Sequence, residues 1–488
     1  MPLLVYNLIL IYIMNPYLVI LGLILFIIIL IIHFNTEKSY TLRIPAEYEP
    51  QEYVILVSPD LDDDDKTNLG NNVKKERLHD FGLGKGFNTI ADVQGQEILA
   101  LRHVTKVIVV FRNKENKMVY DNVMRARGID PLKDFFSITC PTVCDVWIRD
   151  TGPITGIKNG NKFCVWARWT QWGYYSPNLL NKPNYILEKS PPWDKKIKSY
   201  EAWSLCDIPN KLVPCISEKL KIPMVRPLLG NYIYSGEGGN KSFNGKGKLI
   251  CSEIVEKQRN PNLTKEQLET IYRKYYGITE VVWVGKGLAD DKQAFRGSSR
   301  VLEKSNKYKR YWVPIGTGGH IDEWCRFVGD NKVLIAYIPD YVELDDLTMI
   351  TKQRMEANYN HLKTNYPNLE LFRIPDAPLL SMVINNTDPI WTNLKSLSTT
   401  YTYLPEQLNL LAAGSYMNYL VSNSIILFPK YYEAGSKLAS SSIIKKLDNE
   451  AGNIIQMLFP HKKIVRINPL PINFGGGGMH CTSCNIPK

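Results

Sequence analysis

The first thirty-two residues contain no Asp, Glu, Lys or Arg. Within them begins an apolar run, residues 17–34, which as a helix would reach about 27 Å, close to the roughly 30 Å of bilayer hydrocarbon. A cleaved signal peptide fits less well, because there is no basic start and no small-residue cleavage site. Asn15-Pro16 reads as a helix start, with Asn as cap and Pro at the first helical position. Residues 1–40 are therefore expected to form a single-pass membrane anchor and short linker; the side of the remainder is left open by the flanking charges, with the cytoplasmic side favoured. A basic stripe is also missing. The formal charge is +11, yet Lys and Arg are scattered and the densest charge run, Asp62 to Asp65, is acidic. No nucleic-acid partner is expected. The nine cysteines are odd in number and widely spread, which excludes a disulfide scaffold. Cys481-x-x-Cys484 stands alone at the C-terminus, and Cys140 and Cys144 have no second pair at zinc spacing. Reduced thiols, no metal and no cofactor are the expectation.

No low-complexity linker divides the rest. Short runs rich in Val and Ile, bounded by Gly, Pro, Asn or Asp, predict strands at 53–57, 106–111, 163–169, 248–252, 280–285, 332–337, 369–374, 424–429 and 463–467. Helical patterns at 91–104, 265–276 and 440–458 lie between them, and this alternation predicts an α/β fold. Residues 60–86 and 177–209 read as surface insertions, and 41–488 as one catalytic unit.

With seven histidines in the whole chain, each neighbourhood is informative. His320 lies in Gly318-Gly-His-Ile-Asp-Glu323. In an extended segment, residues two apart share a side, so His320 and Asp322 would face one pocket. Trp147-Ile-Arg-Asp150-Thr-Gly-Pro153 closes a strand region with a turn signal. Glu237-Gly-Gly-Asn240 sets a carboxylate before two glycines. Gly475-Gly-Gly-Gly478-Met-His-Cys481 provides a backbone able to approach a ligand, with a thiol directly behind it. A phosphate cradle is not supported, since no Lys-Ser/Thr follows the glycines.

Taken in order, these segments resemble agmatine deiminases and bacterial-type peptidylarginine deiminases of the guanidine-modifying (pentein) superfamily. The resemblance runs from Pro45-Ala-Glu-Tyr-Glu-Pro-Gln-Glu52 through Arg259-Asn-Pro-Asn-Leu-Thr-Lys265 and the stretch from Ala412 to Asn423 to Cys481. It implies a five-bladed, pseudo-symmetric α/β propeller with a central site. It carries over Cys481 as nucleophile, His320 as proton donor and acceptor, Asp150 and Asp322 as guanidinium ligands, and Glu237 as support for the histidine. Trp147 and Gly478 fall at substrate-binding positions. The implied reaction converts a guanidine to a ureido group and releases ammonia through a covalent thiouronium.

The chain departs from the pattern in places. Agmatine deiminases usually read Thr-Asp-Gly-His-Val-Asp-Asn where this chain has Thr317-Gly-Gly-His-Ile-Asp-Glu323, and the Cys481-Thr-Ser-Cys-Asn tail is similar to that of arginine:glycine amidinotransferases. Agmatine is the expected substrate. Peptidyl-arginine is the alternative, followed by amidino transfer and by a catalytically idle binding protein.

Overall fold

The computed structural model describes residues 42–59, 89–143, 145–173, 211–291, 299–302, 308–312, 316–387, 391 and 406–488. The predicted insertions at 60–86 and 177–209 lie outside them, as does Cys144.

The chain opens with β1 (Gln51–Val57), helix α1 (Ile90–Leu101), β2 (Lys106–Phe111), α2 (Lys114–Arg125) and β3 (Phe136–Thr139). After the one-turn helix α3 (Ile148–Thr151) come β4 (Ile154–Lys158), β5 (Asn161–Val165), α4 (Leu212–Leu220) and β6 (Met224–Val225). A small hairpin, β7 (Leu228–Leu229) and β8 (Tyr232–Ile233), leads to β9 (Ser242–Phe243), β10 (Lys248–Ser252), helices α5 (Glu253–Arg259) and α6 (Lys265–Tyr276), and β11 (Glu280–Val284). Beyond β12 (Ser299–Leu302) and β13 (Tyr308–Trp312) lie β14 (Cys325–Phe327), β15 (Lys332–Tyr337), α7 (Asp346–Asn365) and β16 (Glu370–Pro375). The last third contains β17 (Ser381–Asn385), β18 (Gln407–Leu411), β19 (Leu420–Ser422), β20 (Ile425–Pro429), α8 (Ser442–Leu458), β21 (Lys463–Ile467), the short α9 (Leu470–Asn473) and β22 (Ser483–Pro487).

One wiring recurs. An antiparallel strand pair is followed by a helical crossover to a parallel third strand in β4-β5-β6, β9-β10-β11, β14-β15-β16 and β19-β20-β21. The same pattern appears in β22-β1-β2, which β3 extends, but its antiparallel strand comes from the far end of the chain. This closure brings the C-terminal glycine run and Cys481 against the N-terminal sheet. The middle strands are continuous apolar runs because they are covered on both faces: Val54, Ile55, Leu56 and Val57 of β1 are all fully buried. Helix starts follow local chemistry. Thr89 with Asp92, and Thr264 with Gln267, form capping boxes that satisfy otherwise orphaned N–H groups of α1 and α6.

Two expectations need correction. No helix among the described residues is long and apolar enough to cross a membrane; the 20-residue α7 carries Asp346, Lys352, Arg354, Glu356 and Lys363. The membrane location, and the membrane as a partner, are withdrawn on that finding, and the apolar run at 17–34 lies outside the described residues. The thiols are also not all reduced. Cys140, just after β3, is disulfide-bonded to Cys215 in α4, with Cα atoms 6.0 Å apart across a sequence separation of 75. Spacing could not reveal this pair, because only packing of α4 on the first sheet brings the two together.

Candidate active site

Five polar side chains from distant parts of the chain converge on one buried point. Asp150 is carried by α3, whose turn is tied to the C-terminus: Arg149 N donates to the Cys481 carbonyl (3.1 Å) and Arg149 Nε to the His480 carbonyl (3.2 Å). Asp150 Oδ2 accepts from Trp172 Nε1 (2.8 Å) and Oδ1 from Gly239 N (2.9 Å). Gly239 lies at the crossing of the elements. Its carbonyl accepts from Asp322 N (3.1 Å), and a Cβ there would stand 2.5 Å from His320 Nδ1 and 2.9 Å from Asp150 Oδ1. Any side chain would separate the carboxylate from the imidazole.

His320 is fully buried. Its Nε2 lies 3.3 Å from Glu237 Oε2, while Nδ1 is 3.7 Å from Asp150 Oδ1. Nδ1 is the ring nitrogen without a hydrogen-bond partner among the described residues. Glu237 accepts Arg259 Nε on both oxygens (3.1 and 3.0 Å), and Asp291 gathers the N–H groups of Thr317, Gly319 and His320 (2.6, 2.8 and 3.2 Å). The next turn, Ile321–Glu323, presents Asp322. Its Oδ2 pairs with His480 Nδ1 (2.7 Å) and takes the Cys481 thiol at 3.5 Å, and its buried Oδ1 has no partner.

Cys481 is buried beside Asn418. The amide Nδ2 donates to Cys481 Sγ (3.0 Å) and to Glu323 Oε1 (2.9 Å), and Oδ1 accepts the N–H groups of His480 (2.9 Å) and Cys481 (3.2 Å). The glycine run makes room for this arrangement. A Cβ at Gly478 would meet Asn418 Oδ1 at 2.5 Å, and one at Gly477 would meet Trp147 at 2.8 Å and Cys481 Sγ at 3.1 Å. Trp147 thus borders the thiol, and Gly478 lies against Asn418. Cys484 is not paired with Cys481; it is a free thiol near the Pro153 carbonyl (3.2 Å). Among the described residues, Asp322, Glu323 and Cys481 form the one group of three or more His, Cys, Asp or Glu side chains with ligand atoms all within 4.8 Å of one another. The thiol is thus itself one of the three groups, with two carboxyl groups beside it.

Several partners had no role assigned from sequence, although some of the quoted motifs contain them. Glu47 accepts from His480 Nε2 (2.8 Å), Arg149 Nη1 (2.7 Å) and Arg326 Nη2. Arg259 and Asn418 are two more, and His480, Asp291 and Trp172 likewise had no assigned role. Each acts through another residue, so no local pattern marks it.

Charge in the cluster is uneven. Burial works against the Glu237 carboxylate, but Arg259 and His320 outweigh it and hold the group down at about 2. Burial likewise opposes the His320 cation, yet Asp150, Glu237 and Asp322 raise its pKa above the ordinary value. Burial raises Asp150, aided by Asp322 and Glu237. The Cys481 thiol is pushed well up by burial and by Asp322 and Glu323. Burial and the neighbouring carboxyl groups thus both favour the protonated thiol. A bound cation would favour the thiolate.

One consequence is testable in stability alone. Because Glu237 titrates lower when folded, its stabilising contribution is present above the ordinary 4.5 and is lost as pH falls towards about 2. Unfolding across that window should show a loss on the order of 3 kcal/mol from this group. Glu237→Gln should be less stable at neutral pH, by about 3–5 kcal/mol, because Arg259 stays buried unpaired. The variant should also show a shallower acid dependence in urea unfolding; an unchanged slope would refute the assignment.

Comparison with known proteins agrees with the geometry. The model of the Porphyromonas-type peptidyl-arginine deiminase family matches residues 43–296 and 309–487. A Latilactobacillus sakei relative that carries a provisional agmatine deiminase name is 26% identical over 349 residues, 70% of this chain and 75% of its own length. A Photobacterium profundum relative named in the same way is 22% identical over 456 residues, covering 93% and 98%. The agmatine deiminase of Enterococcus faecalis superposes with a TM-score of 0.61 at 20% identity, over 92% of this chain and 96% of that one. The fold is shared.

Proposed function

The chain belongs to the Porphyromonas-type peptidyl-arginine deiminase family and is a guanidine-modifying hydrolase, and from that premise we propose that it deiminates agmatine, with Cys481 as nucleophile and His320 as general acid and base. The observation that carries this reading is the convergence of a thiol, an imidazole and two carboxylates in one buried cluster: Cys481 Sγ is 3.5 Å from Asp322 Oδ2, and His320 Nδ1 is 3.7 Å from Asp150 Oδ1. A guanidinium is planar, cationic and a poor electrophile. Asp150 and Asp322, each with a carboxylate facing the cluster, hold its N–H groups and fix its plane. Its charge offsets the negative field that keeps the thiol protonated, so the Cys481 thiol gives up its proton to solvent as substrate binds, and the thiolate attacks the central carbon. His320, with Glu237 on Nε2, delivers a proton from Nδ1 to the departing nitrogen, and ammonia leaves. The neutral imidazole then takes a proton from water, which displaces the sulfur. The net change is a guanidinium plus water to a ureido compound plus ammonium.

The same reading takes the five equally wired sheets as blades of a pseudo-fivefold propeller, and residues 41–488 as one catalytic unit. The recurring strand order supports it. The choice of agmatine is supported by the names of the relatives, whereas the family description favours a second reading, peptidyl-arginine. Ammonia release from agmatine, free arginine and an end-blocked arginine peptide separates the two. Agmatine is expected to have the highest kcat/KM. Preference for the peptide would establish the second reading, and no ammonia from any of the three would overturn both.

A further inference from the structure

Strand β11 stops pairing with β10 at Val284, and the residues that follow, 285–291, belong to no sheet. Main-chain groups that leave a sheet still need partners, and α7 supplies them from one face. Thr351, Arg354, Asn358 and His361 are spaced three, four and three apart, which sets them in a line along the helix. His361 Nε2 lies 3.1 Å from the Trp283 carbonyl, and Asn358 accepts from Gly285 N (2.7 Å) and donates to the Lys286 carbonyl (2.9 Å). Arg354 Nη1 donates to the carbonyls of Gly287 and Leu288 (both 3.0 Å), and Thr351 Oγ1 accepts from Ala289 N (3.1 Å). Helix side chains thus hold this main chain as a neighbouring strand would. The same segment touches the loop that carries His320. A Cβ at Gly287 would stand 2.8 Å from Gly319 Cα and 2.7 Å from Trp324 Nε1, so only glycine lets the two chains meet. Two residues past Ala289, Asp291 binds the N–H groups of Thr317, Gly319 and His320.

We propose that this polar stripe of α7 positions the imidazole of His320: Arg354 and Asn358 fix residues 285–289, and through Gly287 and Asp291 that segment fixes the loop on which His320 stands. The proposal rests on the reading of His320 as general acid and base. Arg354 and Asn358 are positioning residues, since their hydrogen bonds go to main chain and none goes to Cys481, Asp150 or Asp322 among the described residues. Placement matters because of what faces the ring. Asp150 on α3 lies 3.7 Å from Nδ1, Glu237 with Arg259 behind it lies 3.3 Å from Nε2, and Asp322 is on the ring's own turn. Burial opposes the positive charge of His320, and these carboxylates outweigh it and raise its pKa. Their attraction falls with distance. A loop that drifts therefore loses both the raised pKa and the aim of the proton.

The test uses the full chain with Arg354→Met, Arg354→Lys and Asn358→Leu. The first keeps the length of the side chain and removes its donors, and the second returns a donor within reach of the same carbonyls. Two readouts are compared at matched folded fraction: kinetics on agmatine, and the titration of His320 by NMR of ring-labelled histidine, its signal assigned by its loss in His320→Gln. Arg354→Met and Asn358→Leu should lower kcat about tenfold to hundredfold, as a small misplacement of a reacting group does, with KM for agmatine little changed. His320 should titrate at lower pH in both. The alkaline limb of kcat should move the same way, because the proton-donating form is lost as pH rises through the pKa of the ring. Arg354→Lys should restore most of kcat and of the titration. Arg354 is only half-buried, so its variants carry the test if Asn358→Leu does not fold. A stripe that merely stabilises the fold would lower the melting midpoint and leave kcat per folded molecule and the His320 titration in place; that result in Arg354→Met would overturn the proposal. No ammonia from the intact protein with any guanidine would overturn the hydrolase reading instead, and the titration would still decide the positioning.

Discussion

Cys481→Ser is expected to lose several orders of magnitude in turnover with little change in folding. Serine has nearly the same shape and can still accept the Asn418 amide, which lies 3.0 Å from the sulfur. It cannot supply the nucleophile. Burial, Asp322 and Glu323 already push the thiol well above its ordinary pKa, and a hydroxyl starts from a far higher value and is a weaker nucleophile. A guanidinium cation sufficient to ionise the thiol would leave the hydroxyl protonated. Cys484→Ser is the control. That side chain lies on β22 against the Pro153 carbonyl, and the variant should keep most of its activity. Steady-state ammonia release, with thermal unfolding to match the folded fractions, checks both. An active Cys481→Ser beside an inactive Cys484→Ser would show that the nucleophile has been misassigned.

The second large effect concerns the guanidinium clamp. With a formal charge of +11, the protein as a whole repels a cationic substrate, and only local carboxylates reverse that field. Asp150→Asn and Asp322→Asn keep size and remove charge. Each should lower kcat/KM by at least about 2–4 kcal/mol of transition-state stabilisation, roughly 30-fold to 1000-fold. The two should differ in stability. Asp322 pairs with buried His480 through Nδ1 at 2.7 Å, so Asp322→Asn weakens the network that includes Glu47, Arg149 and Arg326. Asp150 is held by two neutral donors, Trp172 and Gly239, and its variant should unfold nearer the wild-type midpoint. Kinetics close to wild type in both variants would remove the clamp from the mechanism.

Much of this was legible in the amino-acid order. Four predicted strands, β2, β10, β15 and β21, have the expected bounds, and so does α6, because apolar runs between turn residues and a Thr-to-Gln capping box are local signals. The long helix α7 was missed. Its buried face includes Thr348, Thr351 and Asn358, whose side chains serve hydrogen bonds such as that from Gly285 N to Asn358 (2.7 Å), so hydrophobic periodicity does not reveal it. Strand β22 was also missed, since Ser-Cys-Asn-Ile-Pro carries little strand propensity and exists by pairing with β1.

The same division holds for the site. Motif and family resemblance pointed from the sequence to a thiol, an imidazole and three carboxylates as the groups of the proposed chemistry, because reactivity is a property of functional groups and is written in the sequence. Tertiary structure decided how those groups are tuned. Gly239 lets three segments touch, Arg259 keeps Glu237 ionised, and His480 and Glu47 hold Asp322. Folding also placed Cys140 against Cys215. Each of these depends on distances between residues far apart in the chain, and such distances exist only once the sheets have packed.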